Sequence, residues 1–146
     1  MEGGADLAAI TQQTLNRRPF NTFKLWGLVL PHTQLDEGVI WTTVSQQEIA
    51  AAGYPADDAQ LSSALITAVE ADISAVFTEK QDDDGQPTVE CSFRAKPGFD
   101  VSTVALQLGG GGHPAASGCT LPGALSDVAS DVVDKLKQAR RAQRAA

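Results

Sequence analysis

Positive charge is scarce in the middle of this sequence. Between residues 25 and 134 the cations are Lys80, Arg94 and Lys96, set against sixteen Asp and Glu. The other eight lie at the ends: Arg17, Arg18 and Lys24, then Lys135, Lys137, Arg140, Arg141 and Arg144. With a net charge of −7, the chain lacks the many Lys and Arg contacts on which extended duplex binding rests. A short anionic ligand held by few contacts fits this distribution better. Cysteine is also rare. Two in 146 residues, Cys91 and Cys119, make neither a disulfide framework nor a paired metal spacing. A reduced, cytoplasmic setting is the expectation. No apolar run reaches the length of a membrane span. Residues 1–10 carry two acids and no cation, so no secretory signal is expected. The length suits one domain, or one domain with a short extension.

What is abundant is glycine, in one place. Gly109, Gly110, Gly111 and Gly112 are consecutive and lead into His113, Pro114, Ala115, Ala116, Ser117 and Gly118. Glycine inside an element costs about 0.5–1 kcal/mol against alanine. Four in a row therefore read as a backbone that turns through positive φ and lies bare against a ligand. Pro114 and the two alanines predict a short helix fed by the loop. Its free amides and positive dipole end would form an anion site. His113 would donate to a phosphate oxygen or stack on a base. No Lys-Ser or Lys-Thr follows, so this is not a Walker A loop, and a helical rather than a strand pattern precedes it. The plainer alternative is that Gly109 ends the preceding helix and the rest is a turn.

Along the chain, residues 6–16 read as a weakly amphipathic helix ended by Arg17-Arg18-Pro19. Leu25 to Leu30 is a short apolar run, either a buried strand or the end of a helical segment. Val39 to Val44 is β-rich. Ser45 and Glu48 have capping-box spacing, predicting a helix to Ala52 closed by Gly53. A second helix is expected after Tyr54-Pro55, with Asp57 or Asp58 near its start and Leu61, Leu65 and Val69 on one stripe. Ile73–Lys80 and Thr88–Lys96 alternate and flank turn residues, the clearest hairpin in the sequence. Alternation puts Val89, Cys91, Phe93 and Ala95 on one face, and Glu90, Ser92, Arg94 and Lys96 on the other. Asp100 reads as the cap of a helix through Leu108. Cys119–Leu121 reads as a short strand, and Leu125–Arg141 as a last amphipathic helix. Its late basic residues suit the macrodipole, which explains them better than nucleic-acid binding does. The order predicts an α/β domain: a small mixed sheet of about five strands with helices packed on it.

The stretch Gly110-Gly111-Gly112-His113-Pro114-Ala115-Ala116-Ser117-Gly118 resembles the Gly-Gly-Gly-His-x-x-Ala-x-Gly signature of the DHH-associated domain in DHH-family phosphoesterases. With Gly109 before it and Cys119 after it, it is most similar to the bacterial nano-RNase type. Those enzymes cut oligoribonucleotides and dephosphorylate 3′-phosphoadenosine 5′-phosphate. Similar domains occur in cyclic-di-AMP phosphodiesterases, RecJ exonucleases and alanyl-tRNA synthetases. The resemblance covers about residues 25–140. It implies that residues 1–24 are a linker helix, the tail of a DHH catalytic domain, with an ordinary N-terminal helix of a free-standing protein as the alternative, and that residues 25–146 form the substrate-binding domain. It further implies substrate contact by Gly109, Gly110, Gly111, Gly112, His113 and Ala116. Ser92-Phe93-Arg94-Ala95-Lys96 matches the family's strand-borne Arg, with a Lys two positions on, facing the glycines.

The family's catalytic half carries an Asp-His-His triplet and usually two manganese ions. This sequence has two well-separated histidines, His32 and His113, and no such triplet. The resemblance therefore implies a nucleotide- or oligoribonucleotide-binding domain with no catalytic residue and no metal of its own. Its expected partners are a short RNA or nucleotide, a separate manganese-bearing DHH domain and, as one option, a second copy of the chain. A free-standing binding module or adaptor is the alternative, and a cyclic-di-AMP phosphodiesterase domain a further one. A self-sufficient metallohydrolase built on Asp82–Asp84 and His113 is least favoured. Asp82-Asp83-Asp84-Gly85 fails the EF-hand spacing. Zinc on Cys91, Cys119, His113 and His32 lacks any paired spacing. His32 reads as ordinary surface.

Overall fold

A computed structural model describes residues 19–53 and 60–145. The expected helix over residues 6–16 and the start of the helix after Tyr54-Pro55 lie outside the described residues. Helix α1 (Phe20–Val29) passes through a 3-10 turn, Leu30–His32, into strands β1 (Gln34–Asp36) and β2 (Val39–Val44). Helices α2 (Gln46–Ala52) and α3 (Leu61–Leu65) follow. Next come strands β3 (Ile73–Gln81) and β4 (Pro87–Ala95) and helix α4 (Ser102–Gln107). Strands β5 (Gly111–His113) and β6 (Ala116–Pro122) lead to the long helix α5 (Leu125–Ala145).

The six strands lie in the order β1-β2-β3-β4-β6-β5. The β2–β3 pair is parallel and every other pair antiparallel. This is the expected mixed α/β sheet, with one strand more than anticipated. Helices cover both faces. On one face Ile73, Ala75, Phe77, Val89, Cys91 and Phe93 pack against Val104 of α4 and Val132, Val133 and Leu136 of α5. Phe77 and Phe93 meet edge to face at 6.5 Å. On the other face Val44 and Val76 pack with Leu25 and Val29 of α1, Ile49 of α2 and Leu61 and Leu65 of α3. Alternation along β3 feeds both layers, which is why six of its residues in a row are buried.

Leu25 to Leu30 is helical, not a strand. Thr22, Leu25 and Val29 are its buried residues, the spacing of one helical face. The capping box is present: Ser45 Oγ accepts from Glu48 N–H and Glu48 Oε1 accepts from Ser45 N–H, while Gly53 closes α2 at φ 70°. Val69 leaves the expected stripe. Helix α3 ends at Leu65, the chain turns through Ala68 toward β3, and Val69 is 88% exposed. Asp100 sits one position before the cap of α4, and its Oδ1 takes the Ser102 amide at 2.7 Å.

The glycine stretch does not feed a helix. Gly111–His113 is an edge strand, and Pro114 and Ala115 form a two-residue turn into β6. The turn is pinned from outside: Ala95 N–H donates to Ala115 O and Val101 N–H to Pro114 O, both at 3.0 Å. Those bonds spend the turn's carbonyls on β4 and α4, so strand pairing wins over the weak helical tendency of Pro-Ala-Ala.

Helix α5 buries the expected stripe, and its basic end has a partner that the sequence does not reveal. Lys137 reaches Asp36 at 2.7 Å, Arg140 reaches Asp72 at 2.9 Å and Arg141 reaches Glu37 at 2.8 Å. Lys137 and Arg141 clamp the β1–β2 turn, and Arg140 holds Asp72, just before β3. Arg140 lies so close over Gly38 that a Cβ there would come within 2.2 Å of its Nε.

Candidate functional site

Helices α1 to α3 lie mainly over β2 and β3. Over β4 and β6 that face is open among the described residues, and a cavity of about 580 Å³ lies on it, within the usual range for small-molecule sites. Glu90, Ser92 and Arg94 of β4 and Ala116, Gly118 and Thr120 of β6 form its floor. Gln60, Ser62 and Ser63 make one wall, and Gly111 and Gly112 the opposite rim.

Strand register fixes who stands beside whom. Ser74, Arg94, Ala116 and His113 are successive partners across β3, β4, β6 and β5. Partners in register share a face, and neighbouring strands lie about 4.8 Å apart, so Arg94 and His113 are roughly 10 Å apart with Ala116 between them. Arg94 is exposed and its side chain has no hydrogen-bond or ion-pair partner among the described residues. Lys80, Lys137, Arg140 and Arg141 are all in ion pairs. An arginine fork left open in a cavity is suited to a phosphate or carboxylate, which it binds through two parallel hydrogen bonds.

The expected residues divide. Arg94, Gly111, Gly112 and Ala116 line the cavity. His113 is exposed on β5, on the same face by register but beyond the lining. Lys96 is not brought to the cavity. Strand β4 ends before it, and its Nζ donates to Ala68 O at 2.7 Å.

Packing accounts for several glycines without any ligand. Gly109 ends α4 at φ 87°, its N–H bonded to Leu106 O. A Cβ on Gly110 would lie 2.0 Å from Gly118 O. Gly112, at φ 139°, would press a Cβ to 2.6 Å from Ala116 O. Four glycines in a row are thus partly a packing device, contrary to the sequence expectation. Gly111 is different: a Cβ there would meet nothing within 4 Å, on the rim of the cavity.

The remaining candidates fall elsewhere. Asp82 lies at the β3–β4 tip, where its Oδ1 accepts from Asp84 N–H and Gln86 N–H, both at 2.9 Å. That turn chemistry occupies it. His32 is more than bare surface. It bonds Glu48 Oε2 at 2.7 Å and lies 3.4 Å from Thr42 Oγ1, tying the 3-10 turn to the capping box. Cys91 and Cys119 are direct cross-strand partners and both buried. The Cys91 thiol donates to Val89 O at 3.8 Å; the neighbouring Cys119 sulfur, with burial, holds it well above the ordinary range, while the same neighbour lowers Cys119. Among the described residues no three His, Cys, Asp or Glu side chains converge to hold a metal ion. They do not fit the two-manganese site implied for the catalytic half, and no hydrolytic step is assigned to them. No helix among them is long and apolar enough to cross a membrane.

Comparison with known proteins adds the following. The family model described as the DHHA1 domain matches residues 43–142. The bifunctional oligoribonuclease and PAP phosphatase NrnA of Thermus thermophilus is 36% identical over 120 residues, 82% of this chain. The chain spans 35% of that relative's length. Among solved structures, an exopolyphosphatase-related protein from Bacteroides fragilis superposes with a TM-score of 0.75 at 19% identity, over 92% of this chain and 40% of its own. The pGpG-specific phosphodiesterase PggH from Vibrio cholerae gives 0.50 at 14% identity, over 81% and 37%. At such identities the two structures speak for the fold alone.

Proposed function

The chain belongs to the DHHA1 domain family, and on that premise we propose that it is the substrate-gripping part of a DHH-type phosphoesterase acting on short RNA or nucleotides. In this reading Arg94 takes a substrate phosphate. His113 reaches the same ligand from the far side of Ala116, and the Gly111–Gly112 rim lets backbone approach it closely. Hydrolysis belongs to a separate DHH catalytic domain, for which the family resemblance implies manganese. Holding the nucleotide in one pose against that domain is itself a large catalytic contribution.

The observation that carries the reading is the Arg94 guanidinium, unpartnered among the described residues, at a cavity rimmed by bare backbone. The relative's two activities, oligoribonuclease and PAP phosphatase, favour a nucleotide phosphate as its ligand. That the chain spans 35% of that relative favours a division of labour between two domains.

The test is an NMR titration of the 146-residue chain with diadenylate and with 3′-phosphoadenosine 5′-phosphate. Arg94→Ala and His113→Ala are each expected to weaken binding at least tenfold, about 1.4 kcal/mol. Unchanged affinity in both variants would move the site elsewhere. Turnover of either ligand by the nuclease-free chain with added manganese would reject the division of labour.

A further inference from the structure

Two of the residues lining the cavity carry charge, and their signs are opposite. Arg94 and Glu90 stand four positions apart on β4, on the same face, with Ser92 between them. At about 3.3 Å per residue that separation is roughly 13 Å, comparable with the long dimension of one mononucleotide. The register extends each end into a row. Arg94 is flanked by Ala116 and then His113, whereas Glu90 stands between Thr78 and Thr120. The floor therefore runs from a cationic end, through a hydroxyl, to an anionic end bordered by hydroxyls. Glu90 is exposed and meets Lys80 Nζ through one oxygen, Oε2, at 3.2 Å.

We propose that Glu90 sets ligand polarity and charge selectivity in this cavity: one phosphate lies at Arg94, and the sugar or base of the same nucleotide donates hydrogen bonds to Glu90. The proposal rests on the nucleotide-binding reading above and deepens it. A carboxylate accepts hydrogen bonds and offers none. It pairs with ribose hydroxyls or an exocyclic amine and opposes a second phosphate laid along the floor. A neutral acceptor would tolerate both. The cavity thus takes a nucleoside monophosphate unit and disfavours inorganic polyphosphate, although both present a phosphate to Arg94.

The probes are adenosine 5′-monophosphate and inorganic tripolyphosphate, titrated calorimetrically into the 146-residue chain. Wild type is expected to prefer the nucleotide at least tenfold. Glu90→Gln, which keeps shape and exposure, should weaken the nucleotide about threefold, strengthen tripolyphosphate about fivefold and so collapse the preference. Lys80→Met removes the neighbouring cation and keeps the carboxylate. It should leave nucleotide affinity within twofold and weaken tripolyphosphate further. Arg94→Ala should weaken both ligands at least tenfold. If Arg94→Ala does so while Glu90→Gln leaves the preference unchanged, the polarity proposal falls and the nucleotide-binding reading stands. If neither ligand shows Arg94-dependent binding, both fall.

Discussion

Arg94 and His113 stand on one face of the sheet with a single methyl group, that of Ala116, between them. The spacing leaves room for one planar or tetrahedral anion to touch both. Ala116 is half-buried on a strand, where a β-branched residue is tolerated well. Ala116→Ile should therefore fold with a melting temperature within about 3 °C of wild type. Its added bulk occupies the gap, so affinity for short ribonucleotides should fall at least fivefold. Thermal melts with NMR titrations check the pair of outcomes, and full affinity in a folded Ala116→Ile would mean that ligand does not pass over this position.

The glycines predict a second separation. Alanine at Gly110 or Gly112 meets backbone, at 2.0 and 2.6 Å, and backbone is not a soft neighbour. Each should lose about 2 kcal/mol or more. Gly111→Ala meets nothing within 4 Å and should cost less than about 1 kcal/mol. Urea denaturation of the three variants tests this order. A destabilised Gly111→Ala beside a neutral Gly110→Ala would contradict the packing account.

Acid should loosen the β1–β2 turn from α5. Hydrogen bonding to Lys137 holds the Asp36 carboxyl below its ordinary range, and hydrogen bonding to Arg141 does the same for Glu37. A carboxylate with a depressed folded pKa stabilises the fold above its unfolded pKa and loses that contribution as pH falls through the folded value. The loss is thus expected below about pH 4. Both carboxylates are exposed, so salt should shrink the effect. Lys137→Met combined with Arg141→Met should flatten stability against pH in that window. An unchanged slope would place the acid sensitivity elsewhere, with Asp100, also depressed by its bond to Ser102, the next group to remove.

Much of the fold is legible in local sequence pattern, and most of what is not depends on tertiary pairing. The β3–β4 hairpin, the Ser45–Glu48 capping box and the α5 stripe are local patterns, and the structure has them. Glu90, Ser92 and Arg94 were separable from Val89, Cys91 and Phe93 by alternation alone, which located half of the cavity floor. Strands β1 and β5 were not legible. Gln34–Asp36 and Gly111–His113 are short and exposed, and neither has strand propensity. Pairing with β2 and β6 makes them strands, a tertiary effect that overrides local preference. The same holds for the α5 clamp, where Lys137 and Asp36 lie 101 positions apart. The divergence of Lys96 from Arg94 is the opposite case: the period-2 rule stops working where the strand stops.

The cysteines carry the last prediction. In the sequence Cys91 and Cys119 look unrelated, yet the sheet makes them cross-strand partners inside the core. Alkylation needs a thiolate and access. Cys91 is 1% exposed and Cys119 8%. The proximity of the two sulfurs lowers the Cys119 thiol and, with burial, raises that of Cys91. Access and acidity therefore act in the same direction. Under native conditions iodoacetamide should label Cys119 first, with Cys91 following only on unfolding. Once Cys119 carries a carbamidomethyl group, the pair no longer fits between β4 and β6, and Cys91 should open soon after. Peptide mapping by mass spectrometry over a time course reads the order directly. Equal rates from the start would mean that labelling reports global unfolding alone, and Cys91 ahead of Cys119 would mean that neither exposure nor acidity sets the order.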